Sequence, residues 1–72
     1  MDIDFNRVAT AIAYLSDNVR EQPSLETVAS TVGLSPFHFQ RTFRRYAGVT
    51  PKQFLAALTL EVYYRFATRA AP

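Results

Sequence analysis

The sequence predicts an all-α fold, a three-helix helix-turn-helix unit followed by a long fourth helix, and three observations in its 72 residues carry that prediction. Apolar residues recur every three or four positions along most of the chain, which is the period of a helix face. Ser35-Pro36 and Thr50-Pro51 are start signals, a capping hydroxyl followed by the helical position that proline prefers. Between the second and third predicted helices stands a turn of about four residues built around Gly33, the spacing of a helix-turn-helix.

The first helix is expected over about 5–21, because Phe5, Val8, Ile12, Leu15 and Val19 share a face. Asp4 reads as its N-cap, and Pro23 ends it by pushing the preceding residue away from helical geometry. Ser24 caps a second helix over about 25–32, with Glu26 in the first turn, where the helix dipole favours a carboxylate. Leu25, Val28, Ala29 and Val32 give it an apolar face. Gly33 supplies the left-handed residue that closes it, and Leu34 folds back into the core.

The third helix is expected over about 36–46, with Phe39 and Phe43 inward and Tyr46 close to the same face. Gly48 stops it. The fourth runs over about 51–68, rich in alanine and leucine. Its residues Phe54, Leu55, Leu58, Val62 and Phe66 form a side suited to the core, while Ala56, Leu60, Tyr63 and Tyr64 lie largely on the other. The whole chain, 1–72, reads as a single domain.

Composition narrows the function. With no cysteine there are no disulfides, no thiolate nucleophile and no cysteine-bound metal. Asp2, Asp4 and Arg7 stand where an export signal would place basic and then apolar residues, and no apolar run approaches the ~18 residues of a membrane span. A cytoplasmic protein without a membrane partner is therefore expected. The net charge is +2, but residues 1–26 carry −3, whereas residues 27–60 hold Arg41, Arg44, Arg45 and Lys52 and no acid. Phosphate is the natural partner of such a segment.

If Phe39 and Phe43 face inward, the opposite side of the third helix presents Phe37, Gln40, Arg41 and Arg44 as one stripe. Arginine donates two bonds to guanine, glutamine bonds adenine bidentately, and phenylalanine contacts a thymine methyl, so these four are the candidate base readers of duplex DNA. Ser35, His38, Arg45, Thr50 and Lys52 lie beside the stripe and suit contacts to the DNA backbone, which fix orientation without reporting sequence.

The segment G-L-S-P-F-H-F-Q-R-T-F-R-R-Y-A-G-V-T-P-K-Q-F-L, residues 33–55, resembles the first helix-turn-helix of the AraC/XylS family of transcription regulators. Within that family it is most similar to the regulatory segment of Ada-type methylation-response proteins, and the similarity runs from the first helix to Glu61. The resemblance implies a homeodomain-like three-helix unit followed by a linker helix, and a place at the bacterial nucleoid. It also implies that Phe37, Gln40 and Arg41 face bases, with backbone contacts near the start of the fourth helix. Regulators of this family carry two helix-turn-helix units joined by a long helix, and this sequence supplies one; its tail V-Y-Y-R-F-A-T-R-A-A-P departs from the usual linker. Without cysteine, alkyl-transfer chemistry does not carry over.

His38 is the sole histidine, so neither a metal site nor a catalytic triad can be assembled, and no enzyme activity and no cofactor are expected. Two readings remain open. One is sequence-specific DNA binding. The other is a protein-interaction fragment that uses Leu60, Tyr63 and Tyr64 on the fourth helix to pair with a second copy, a full-length regulator, or a second helix-turn-helix unit.

Overall fold

The structure is a computed structural model that describes residues 2–70; Met1, Ala71 and Pro72, the outermost positions of the expected 1–72 domain, lie outside the described residues. It contains α1 (Ile3–Asp17), α2 (Leu25–Thr31), α3 (Pro36–Ala47) and α4 (Pro51–Ala70), with a 3₁₀ turn at Val19–Glu21 between the first two. This is the all-α arrangement expected. Helices α1, α2 and α3 pack pairwise, and α4 lies against α1, α3 and the 3₁₀ turn.

The start and end of α1 both differ from expectation. Asp2, not Asp4, is the N-cap: its Oδ1 accepts from the Asp4 backbone N–H at 3.0 Å. Asp4 stands in the first turn and pairs with Arg7 at 3.5 Å. At the other end the α-helix stops at Asp17, four residues short of the expected 21. Asn18 leaves helical geometry and its side-chain amide donates to the Tyr14 carbonyl at 2.9 Å, a local bond that competes with continuing the helix. Gln22 then takes a left-handed conformation, φ 50°, before Pro23.

Helix α2 ends in a Schellman motif. The Leu34 N–H reaches the Ala29 carbonyl at 3.1 Å, and that of Gly33 the Ser30 carbonyl at 3.2 Å. Gly33 makes this possible at φ 73°, and Leu34 is folded back against the core. Ser35 opens α3 by accepting from the His38 N–H at 3.3 Å, and Gly48, φ 80°, closes it. Thr50 and Gln53 form a reciprocal capping box at the start of α4, with bonds of 2.9 and 3.1 Å.

The core is Val8, Ala11 and Leu15 of α1, Val28 and Ala29 of α2, and Phe39 and Phe43 of α3. Ala11 and Ala29 are fully buried, and their small side chains let the helices approach closely. The Phe43 ring lies 5.6 Å from Phe39 and meets Phe54 of α4 edge-on at 5.7 Å. Each buried phenylalanine contributes about 1.5–3 kcal/mol of transfer free energy.

Three residues assigned inward lie elsewhere. Phe5 is 57% exposed, because the first turn of α1 runs past the edge of the core; it meets the Tyr46 ring edge-on at 6.2 Å. Tyr46 is exposed too, and its hydroxyl donates to Asp2 Oδ2. Phe66 is 70% exposed. At 1.5 Å per residue a 20-residue helix is about 30 Å long, and α4 contributes to a molecule that is 47 Å long but only 21 and 17 Å across, with residues 63–69 exposed at its far end. Among the described residues the last polar tie of α4 to the rest of the fold is Gln22 Nε2 donating to Thr59 Oγ1 at 2.9 Å.

Candidate nucleic-acid interface

Burial of one face of α3 decides what the other offers. Phe39, Thr42 and Phe43 are closed off from solvent, and the 100° step between residues then turns Phe37, Arg41 and Arg44 directly outward. Gln40 and Arg45 flank this ridge on its two sides, and all five are exposed. Phe37 is 73% exposed at the first turn.

The cations on this surface are not used by the fold. Among the described residues the ion pairs are Asp4–Arg7 and Glu61–Arg65, so Arg41, Arg44, Arg45 and Lys52 have no carboxylate within 4 Å. Two of them are braced by aromatic rings instead. The Arg41 guanidinium lies 5.7 Å from the centre of the Phe37 ring, and that of Arg45 lies 5.8 Å from the Tyr46 ring. Stacking of this kind leaves the donor edge of a guanidinium open to a second partner.

The flanks differ. On one side Gln40 and Lys52 share a groove of about 330 Å³ with Ser24 and Pro51, floored by Leu15, Val28 and Leu55. On the other, His38, Arg41 and Arg45 share a smaller crevice of about 190 Å³ with Thr42 and Asp4. The charge at this second flank is mixed. Asp2 stands beside it, and its carboxyl is held below the usual carboxylate range by the hydrogen bond from Tyr46, with Arg45 acting in the same direction. The same bond raises the Tyr46 phenol.

The structure brings Ser35, Phe37, His38, Gln40, Arg41, Arg44 and Arg45 together on or before one helix, with Thr50 and Lys52 at the start of the next. Ser35 and Thr50 spend an oxygen lone pair on caps, which leaves each hydroxyl hydrogen free to donate. Leu60, Tyr63 and Tyr64 are exposed on α4 and are not part of this surface. Sequence reasoning missed the acidic neighbours. The charge segregation showed that acids precede bases along the chain, but gave no sign that Asp2 and Asp4 fold back beside His38 and Arg45.

Among the described residues no cluster of His, Asp or Glu could hold a metal ion, and no helix is long and apolar enough to cross a membrane. Compared with known families, residues 21–56, half of the chain, match the model for bacterial regulatory helix-turn-helix proteins of the AraC family. The match takes in α2, the Gly33 turn, α3 and the first turns of α4. No curated protein and no solved structure matches the chain.

Proposed function

The chain belongs to the AraC family of bacterial regulatory helix-turn-helix proteins, and from that premise we propose that it binds a specific duplex sequence with α3 lying in the major groove. The family is one of DNA-binding regulators rather than enzymes. One observation supports the groove reading above the others: a buried Phe39–Phe43 pair turns Phe37, Gln40, Arg41 and Arg44 outward, with no carboxylate on the arginines. Arg41 and Gln40 are the principal base readers, Phe37 and Arg44 assist, and Ser35, His38, Arg45, Thr50 and Lys52 hold the backbone. Such a domain works where the chromosome lies, in the bacterial cytoplasm at the nucleoid.

The test begins with selection of bound sequences from a random duplex pool, followed by fluorescence anisotropy on the enriched site. With about four phosphates neutralised, log affinity falls with log salt at a slope of about −3.6. Arg41→Ala is expected to weaken the enriched site by about 10- to 100-fold while changing a random duplex far less. No enrichment, or an Arg41→Ala protein as selective as the parent, overturns the reading.

A second reading rests on a separate observation. Leu60, Tyr63 and Tyr64 are each more than half exposed on one helix, a large apolar surface for a 72-residue chain. We infer that this face meets protein, either another copy or a second helix-turn-helix unit. Sedimentation of the parent and of a Leu60→Ser/Tyr63→Ser variant at micromolar concentration tests self-association; a monomer in both cases removes the second copy.

A further inference from the structure

We propose that the acidic start of α1 is a built-in competitor for the phosphate backbone, weakening the His38–Arg45 flank of the recognition helix relative to the Gln40–Lys52 flank. The proposal rests on the DNA-binding reading above. It goes beyond that reading by assigning Asp4 and Asp2 a role in setting affinity.

The two flanks are chemically unequal. Gln40 and Lys52 border a groove that contains no acid. His38, Arg41 and Arg45 border a crevice into which Asp4 projects from the first turn of α1. A phosphate approaching Arg45 on that side meets a carboxylate of its own sign in the same 190 Å³ space. Asp4 forms its ion pair with Arg7, at 3.5 Å between partly exposed groups, which leaves its field only partly compensated.

The start of α1 is held in this position. Tyr46, the neighbour of Arg45, donates its hydroxyl to Asp2, and its ring receives the edge of Phe5. Asp2 in turn caps α1 through the Asp4 N–H. The first turn of α1 is thereby tied to the last turn of α3, so the carboxylates travel with the recognition helix instead of swinging away when DNA arrives. The consequence is a surface whose positive field leans toward Lys52, and a duplex held more tightly on that side.

The experiment compares two neutralising variants of equal net charge. Asp4→Asn removes the carboxylate in the crevice, whereas Asp17→Asn removes one at the far end of α1. Neither residue caps a helix N-terminus, so both variants should keep the fold, checked by circular dichroism. Anisotropy on a 20-base-pair duplex should show Asp4→Asn binding about two- to fivefold tighter at low salt, the size of one exposed charge interaction. Its salt slope should steepen by about 0.9, one further phosphate. Asp17→Asn should lie within about 1.5-fold of the parent, because its charge is screened over that distance.

Heparin supplies a second probe that does not depend on base reading. The order of elution from a heparin column should again place Asp4→Asn above Asp17→Asn and the parent. Equal effects of the two variants on both probes would show that only net charge matters and would overturn the proposal. A parent that binds heparin but no duplex would instead overturn the DNA reading, with the order of the variants on heparin still deciding the role of Asp4.

Discussion

Phe54 and Phe66 lie on the same broad side of α4, yet one is packed edge-on against Phe43 and the other is 70% exposed. The difference is position along the helix. The first turns of α4 lie over the core and extend the match to the family model, which ends at residue 56; Val62 is still half-buried beside Val19 and Arg20, and residues 63–69 beyond it are exposed. Helical periodicity reports which side chains share a face. It does not report whether anything stands opposite that face, and in a chain this small the body is used up before the helix ends.

The largest test of that contrast is Phe43→Ala against Phe66→Ala. Phe43 is fully buried between Phe39 and Phe54, so its truncation should cost about 3–5 kcal/mol, enough to unfold much of so small a domain. Phe66→Ala should change stability by less than about 0.5 kcal/mol. Thermal melts followed by circular dichroism check both; similar losses would mean that the end of α4 is covered in solution.

Gly33→Ala comes next. A Cβ there would meet no atom within 4 Å, so the cost is conformational, about 1–2 kcal/mol for a left-handed alanine at φ 73°. Loss of the turn should reduce DNA affinity through stability alone, restored at lower temperature. Thr50→Ala removes the cap that starts α4 on the body, at about 1 kcal/mol by urea titration. Thr68→Ala, whose hydroxyl bonds only its own helix at the far end, should be nearly silent.

The smallest effect concerns pH. Asp2 has a depressed folded pKa, so the stability from its bond with Tyr46 is fully present above the ordinary carboxylate value and lost as pH falls from there through the lower folded pKa. Tyr46 has a raised folded pKa, so its share is present below the ordinary phenol value and lost as pH rises beyond it. The clasp is therefore intact from about pH 4 to pH 10. Tyr46→Phe should remove the alkaline part of this dependence and weaken the acid part, since Asp2 keeps its backbone hydrogen bonds and the nearby Arg45 charge; NMR of the Phe5 ring reads both, without a change in the packing of Phe43.

Much of the fold was legible because its signals are local. Ser24, Ser35 and Thr50 each bond a backbone N–H three residues on, and Gly33 closes its helix within one turn, so these elements are written in short strings. Phe39 and Phe43 follow from their spacing. The candidate interface was legible for the same reason, since the outward residues of α3 are fixed once the inward ones are known.

Among the misassigned residues, Phe5 and Tyr46 depend on partners far along the chain, whereas the two ends of α1 turn on local competition between neighbouring side chains. Asp4 matches the local signature of a cap although Asp2 makes it, and nothing in the sequence joins Asp2 to Tyr46, 44 residues away. Pro23 suggested where the first helix stops, but Asn18 ended it earlier by turning its amide onto Tyr14. Sequence alone determined the last three helices, their caps at Ser24, Ser35 and Thr50, the Gly33 turn and the basic stripe, because each is set by bonds or spacings within about two turns. Tertiary structure alone decided that the acidic N-terminus sits beside the basic helix and that α4 outruns its support. Both depend on where separate elements meet in space, which no local period encodes.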